Sequence, residues 1–224
     1  MKIEQNLRGT AYENGYRILG SRGPAVVGMS LGNSHFDKEK INDLLTFCGE
    51  TFPRTEIMIP DKPAVHNYLA IGYSQSEAQR KARLNGATLR NHSQRAISTI
   101  NNVHLLNWAK DIESNPQYQE ELERLKRLPE INATFKNATE EATIQVLSGK
   151  LKPGRQIEPA IQEGVNYLLK ELAFLSASPK VLNAPEINYL YHNPWPIFEQ
   201  FIEGRFDGKP RKDLGFLIVN EGTK

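Results

Sequence analysis

The sequence predicts an α/β fold: a mostly parallel central sheet of about five strands, flanked by helices on both faces. Two observations predict it. Short apolar runs alternate with longer segments of helical periodicity along the chain. Strand–helix alternation of that kind builds parallel sheets covered on both sides. The chain also has 224 residues, 39% of them apolar, enough to bury one large core. The expected unit is a single domain over residues 1–224.

The elements follow in order. Ala25–Met29 is the first convincing strand. Asp37 can cap a helix whose Ile41, Leu44, Leu45 and Cys48 recur at helical spacing, with Gly49 as its stop. Glu56–Ile59 is the second strand. Ser74 and Glu77 form a capping-box pattern that opens a long helix to about Thr99. Val103–Leu106 is the third strand. A helix is expected from Pro116 to Leu128, stopped by Pro129, and another from about Thr139 to Leu147. Lys150–Arg155 reads as a basic loop. Glu158-Pro159 opens a strongly periodic helix to Ala173, with Ile161, Val165, Leu168, Leu169 and Leu172 on its apolar face. Ile187–Tyr191 and Leu214–Val219 are the last two strands, separated by a helix from Pro196 that Gly204 closes.

Composition excludes several classes. The single cysteine, Cys48, rules out a disulfide scaffold and a cysteine-based zinc site. No apolar stretch approaches the roughly 20 residues that span a bilayer, and Met1–Arg8 lacks the apolar segment of a secretory signal. A cytoplasmic protein is expected. The net charge of +2 selects no partner by itself; the placement of the charges has to do so.

Four features carry chemistry. Gly28-Met29-Ser30-Leu31-Gly32 places a serine on a tight turn at a strand's carboxyl end. There its hydroxyl can attack a carbonyl, and backbone N–H groups can meet the oxyanion. The same pattern also occurs in ordinary strand-to-helix turns, and a serine hydrolase would use it too. Tyr167 and Glu171, one helical turn apart, share a face beside the leucine stripe. They suit a cleft border or a plain surface pair. Tyr191-His192 ends a strand, where a phenol and an imidazole can relay protons or simply finish the core. Finally, the Ser74–Thr99 helix carries Arg80, Lys81, Arg83, Arg90 and Arg95 within about half its circumference. That face is either a solvated surface or a phosphate-binding ridge. No phosphate loop, metal-binding helix or dinucleotide turn is present, so ATP, zinc and nicotinamide have no support and no cofactor is expected.

Taken together, Gly28-Met29-Ser30-Leu31-Gly32-Asn33-Ser34, the Asn166-Tyr167-x-x-x-Glu171 helix and Tyr191-His192 resemble the cyclodipeptide synthases over about Ala25 to Val219. Asn33, Tyr191 and His192 match the Asn-Tyr-His subfamily; the other subfamily has Pro where His192 stands. The resemblance implies a Rossmann-like domain similar to the catalytic domains of class I tyrosyl- and tryptophanyl-tRNA synthetases, but lacking the His-x-Gly-His and Lys-Met-Ser-Lys-Ser signatures for ATP. It implies two aminoacyl-tRNA substrates, a monomer, and no membrane or metal partner. Ser30 would carry the acyl groups, Tyr167 and Glu171 would hold the substrate ammonium, Tyr191 would relay protons, and Asn33 and His192 would orient them. Arg80, Lys81, Arg83, Arg90 and Arg95 would meet tRNA. Val26, Gly28, Met58, Leu106, Phe174 and Tyr189 would line the first side-chain pocket, with Phe174 and Tyr189 admitting a polar or aromatic group. The second pocket would lie near Trp195. A serine hydrolase and a non-catalytic tRNA-binding module are the alternatives.

Overall fold

The computed structural model describes residues 1–221; residues 222–224 of the expected domain lie outside the described residues. Its strands are β1 (Lys2–Ile3), β2 (Ala25–Gly28), β3 (Thr55–Met58), β4 (Val103–Leu105), β5 (Ile187–Tyr191) and β6 (Leu214–Asn220). Its helices are α1 (Thr10–Gly20), α2 (Lys38–Thr51), α3 (Ala64–Ala70), α4 (Gln75–Ala96), α5 (Pro116–Ile131), α6 (Ala133–Leu147), α7 (Ile157–Val181) and α8 (Pro196–Ile202). The sheet order is β1-β6-β5-β2-β3-β4. The five strands expected from sequence all pair in parallel, and the short β1 adds an antiparallel edge on β6. The Rossmann-like α/β architecture is therefore as expected, with one strand more.

Side-chain alternation divides the core between the two sheet faces. Val26, Met58, Tyr189, Phe216 and Ile218 face one side and pack with α5, α7 and α8. Ala25, Val27, Met29, Ile57, Leu190 and Leu217 face the other, against α2 and residues of α4. Strands covered on both faces explain the unbroken burial of β2 and β3.

Several boundaries differ from the sequence reading. Gly49 does not stop α2, which runs to Thr51. The glycine instead lets neighbouring chain approach, since a Cβ there would lie 2.6 Å from Ile100 Cγ2. Pro129 does not stop α5 either. It sits in the last turn, where its missing N–H removes a single intrahelical bond. Asn132 then closes α5 with its N–H to the Leu128 carbonyl (2.9 Å) and opens α6 by accepting from the Phe135 N–H (2.9 Å). α6 thus begins at Ala133, ahead of Thr139. α7 runs past Ala173 to Val181 because Phe174, Leu175 and Ala177 are also buried.

The order of connections fixes where a ligand can bind. From β2 the chain moves to β3 and β4 on one side, whereas β5 and β6 lie on the other. The gap between the carboxyl ends of β2 and β5 is the switch point of the sheet, the place where open α/β folds bind ligands.

Candidate active site

Ser30 lies two residues beyond β2, at that switch point. The Met29 N–H still bonds to the Met58 carbonyl (2.9 Å), so the chain leaves the sheet only at the serine. A turn follows, with the Asn33 N–H 3.4 Å from the Ser30 carbonyl and Gly32 at φ +74°. That backbone conformation favours glycine. The Asn33 side chain accepts from the His35 N–H at 2.9 Å and so fixes the next bend.

Parallel pairing of β2 with β5 sets Val27 opposite Leu190 and brings the two strand ends level. Ser30 Oγ consequently lies 3.1 Å from the Tyr191 hydroxyl. Burial holds the Tyr191 phenol above the usual tyrosine range, against the pull of Ser30 and Asn33. It is a neutral hydroxyl at physiological pH, able to accept one proton while giving up another.

α7 supplies the opposite wall. Glu171 is 7% exposed, and burial raises its carboxyl to about 7 although the Tyr167 hydroxyl favours the charged form. Burial and the nearby carboxylate push the Tyr167 phenol well up, so it stays protonated. Near neutrality Glu171 can therefore either accept a proton or hold a cation, as a general base should.

His192 has a different task. Its ring stacks on His35 at 3.9 Å and meets Phe36 edge-on at 5.6 Å. Burial, with His35 and Lys40 nearby, lowers it to about 4. The imidazole is neutral and braces the Asn33–Phe36 bend, beside Ser30 but without a bond to it.

Ser30, Asn33, Tyr167, Glu171, Tyr191 and His192, far apart in sequence, all line one cavity of about 950 Å³. Of the six expected pocket residues, only Tyr189 reaches it. Val26, Met58 and Phe174 have no exposed surface, and Leu106 packs against the same apolar cluster. Gly28 is covered by the Tyr189 hydroxyl. Trp195, the residue expected near a second pocket, lines the same cavity. Sequence reading missed the wall made by α6, where Asn137, Glu141 and Gln145 face the cavity. Their i, i+4, i+8 spacing is the signal that a correct helix start would have revealed.

The cationic helix is anchored just behind Ser30. Ser93 of α4 touches Met29 (3.6 Å to its sulfur), and Asn85 donates to the Tyr68 hydroxyl at 2.5 Å. Arg80, Arg83 and Arg95 are exposed. Lys81 lies over the Tyr73 ring at 4.7 Å, and Lys152 from the basic loop lies on it at 3.5 Å. Arg90 departs from the expectation of an open ridge: it is half-buried and ion-paired with Asp61. That carboxylate comes from the loop after β3, so the helix's own sequence could not show it. Lys150 of the same basic loop reaches the cavity, and Arg155 donates to the Ala70 carbonyl at 3.1 Å. Among the described residues no cluster of three or more His, Cys, Asp or Glu could hold a metal, and no helix is long and apolar enough to cross a membrane.

The fold, with a serine at the switch point and a buried carboxylate lining the same cavity, is of the Rossmann-like α/β class. The family is equally definite. The cyclodipeptide synthase family model matches residues 10–221, and the chain belongs to that family. It is 28% identical over 186 residues to the cyclo(L-leucyl-L-phenylalanyl) synthase of Streptomyces noursei, covering 81% of this chain and 78% of that protein. Its fold matches a Mycobacterium tuberculosis structure that relates cyclodipeptide synthetases to type I tRNA synthetases, with a TM-score of 0.81 at 23% identity over 94% of this chain and 90% of that one. It also matches the cyclodipeptide synthase of Candidatus Glomeribacter gigasporarum bound to Phe-tRNAPhe, with a TM-score of 0.63 at 15% identity over 90% and 89% of the two chains.

The raised carboxyl of Glu171 has a cost that can be measured. Its folded-state value of about 7 lies above the ordinary carboxylate value of 4.5. The folded protein therefore keeps a proton that the unfolded chain releases. Stability falls as pH rises from about 4.5 to about 7 and levels off above, a loss on the order of 3 kcal/mol. Glu171→Gln should remove this dependence. Thermal melts at pH 5 and pH 8 should show the variant gaining on the wild type at pH 8, and parallel curves would contradict the buried carboxyl.

Proposed function

We propose that the chain joins two aminoacyl-tRNAs into a 2,5-diketopiperazine by a ping-pong route through aminoacyl-Ser30 and dipeptidyl-Ser30. The observation that carries this reading is the 3.1 Å contact between Ser30 Oγ and the Tyr191 hydroxyl, in the cavity that Glu171 also lines.

Each step follows from the positions of these groups. Ser30 Oγ bonds to the ester carbonyl of the first aminoacyl-tRNA and the ester bond to the ribose breaks. The serine proton ends on the departing tRNA hydroxyl, with Tyr191 as a neutral relay. The Asn33 N–H is turned to the Ser30 carbonyl, so the N–H groups of Gly32 and Ser34 are left as the donors to the oxyanion. The ammonium of the bound group rests on Glu171 and Tyr167, an anion and an acceptor one helical turn apart. Glu171 takes its proton, and the free amine attacks the second aminoacyl ester; the new N–C bond replaces the ester bond, the nitrogen's second proton passes to the ribose oxygen of the departing tRNA, and a dipeptide is left on Ser30. The terminal amine then attacks the Ser30 ester, the six-membered ring closes, and the serine recovers its proton through Tyr191. The incoming esters are already activated, so the chemistry calls for no ATP. Asn33, which fixes the bend after Ser30, and His192, which stacks on His35 beside it, stand with Tyr191 as the three residues of the Asn-Tyr-His subfamily and support membership of it.

The tRNA backbone lies along Arg80, Arg83 and Lys81, continued by Lys152 around Tyr73. Arg90 is structural, since its charge is spent on Asp61. The hydrolase alternative is disfavoured because the partner of Ser30 is a phenol, whereas a hydrolase needs a histidine paired to a carboxylate there.

Expression in bacteria followed by mass spectrometry of the medium tests the reading. A cyclodipeptide should appear and vanish in Ser30→Ala. Tyr191→Phe should lower the yield about 10²-fold or more, the range of one lost proton-transfer group. Product surviving in Ser30→Ala would sink the proposal. Replacing Arg80, Arg83, Lys81 and Lys152 together should weaken tRNA binding and flatten its dependence on salt, because counterion release scales with phosphate contacts. An unchanged salt slope would make that surface merely solvated.

A further inference from the structure

The sheet face beneath Ser30 is already occupied by the protein itself. Alternation puts Val26, Gly28 and Ser30 on one side of β2 and its extension. An acyl side chain entering from Ser30 toward the core would therefore meet Gly28 first. A Cβ added at Gly28 would fall inside the Tyr189 hydroxyl and lie 2.7 Å from its Cζ. Gly28 is what allows the Tyr189 phenol to lie across the strand.

That phenol is held firmly. Tyr189 is 3% exposed. Its ring stacks on Phe216 at 6.0 Å and 15°, and Phe198 meets it edge-on at 5.4 Å. Beyond it Val26, Met58 and Phe174 are sealed from solvent. A leucyl or phenylalanyl side chain directed down this face would have to displace a ring locked by two aromatic neighbours. With the phenol across Gly28 and the residues beyond it sealed, the face beneath Ser30 is closed to side chains of that length.

We propose that Tyr189 closes the subsite below Ser30, so that the first aminoacyl group loaded is a small one: glycyl, alanyl or seryl. This rests on the aminoacyl-Ser30 reading and adds a substrate class to it. Hydrophobic pockets discriminate a methylene by about 10- to 200-fold, and filling the pocket outright should exclude larger groups at least that strongly.

Product profiles test it. Wild type, Tyr189→Phe and Tyr189→Leu are expressed in bacteria and the cyclodipeptides in each medium are identified by mass. Every major wild-type product should contain at least one Gly, Ala or Ser residue. Tyr189→Phe keeps the ring and should keep that profile. Tyr189→Leu opens space above Gly28 and should raise products made of two large apolar residues at least about 10-fold relative to the rest. A wild-type product with two large residues, such as two leucines, would overturn the proposal while leaving Ser30 chemistry intact, and this arm needs no variant to fold. A soluble Tyr189→Leu with an unchanged profile would also overturn it. If no cyclodipeptide appears from wild type, the underlying reading of Ser30 fails, and this one with it.

Discussion

The parallel pairing of β2 with β5 is the constraint on which the site depends. One register, with Val27 opposite Leu190, sets the two strand ends level at the switch point. Ser30 and Tyr191 come within hydrogen-bonding distance because of that register, not because of any local motif. A slip of one residue would turn Tyr189 and Tyr191 to the opposite face of the sheet. The same pairing seats Tyr189 over Gly28, so the positions of Ser30, Tyr191 and Tyr189 share one structural cause.

Burial then gives the site its chemistry. The phenols of Tyr167 and Tyr191 are both held above their ordinary range, so they remain hydroxyls that donate and accept. Glu171 is moved to about 7 by the same desolvation, a value suited to taking a proton from an ammonium and returning it. His192 moves the other way, to about 4, and is left as a neutral plate stacked on His35. Two groups that a motif places side by side, Tyr191 and His192, are thus separated by environment: one is a hydroxyl in contact with Ser30, the other a neutral ring stacked away from it.

Much of this was legible in the sequence for a physical reason. Buried parallel strands such as Ala-Val-Val-Gly and Ile-Asn-Tyr-Leu-Tyr are short apolar runs, and their ends mark the site. Capping chemistry placed α2 and α4 correctly at Asp37 and Ser74. What stayed hidden depended on residues distant in sequence or on missing local signals. α1 follows Gly9, which offers no side-chain cap. Pro129 looked like a stop, yet Asn132 ends α5 and starts α6, and the misplaced start left Asn137 outside the helix whose face it shares with Glu141 and Gln145. Arg90 looked free until Asp61 was seen beside it. Of the residues expected to line a pocket, Val26, Met58, Phe174 and Tyr189 share one apolar core, and only Tyr189 reaches the cavity, because its ring covers Gly28, a contact between strands that no local pattern shows.

The central claim is that Ser30 carries an aminoacyl group taken from tRNA. It is tested most directly by mixing the full chain with charged bacterial tRNA, quenching in acid, and measuring the mass of the peptide that contains Ser30. The account predicts that this peptide gains the mass of one aminoacyl residue, lost on treatment with mild base, as an ester should be. Cyclodipeptide forming at its full rate with that peptide always unmodified would contradict it.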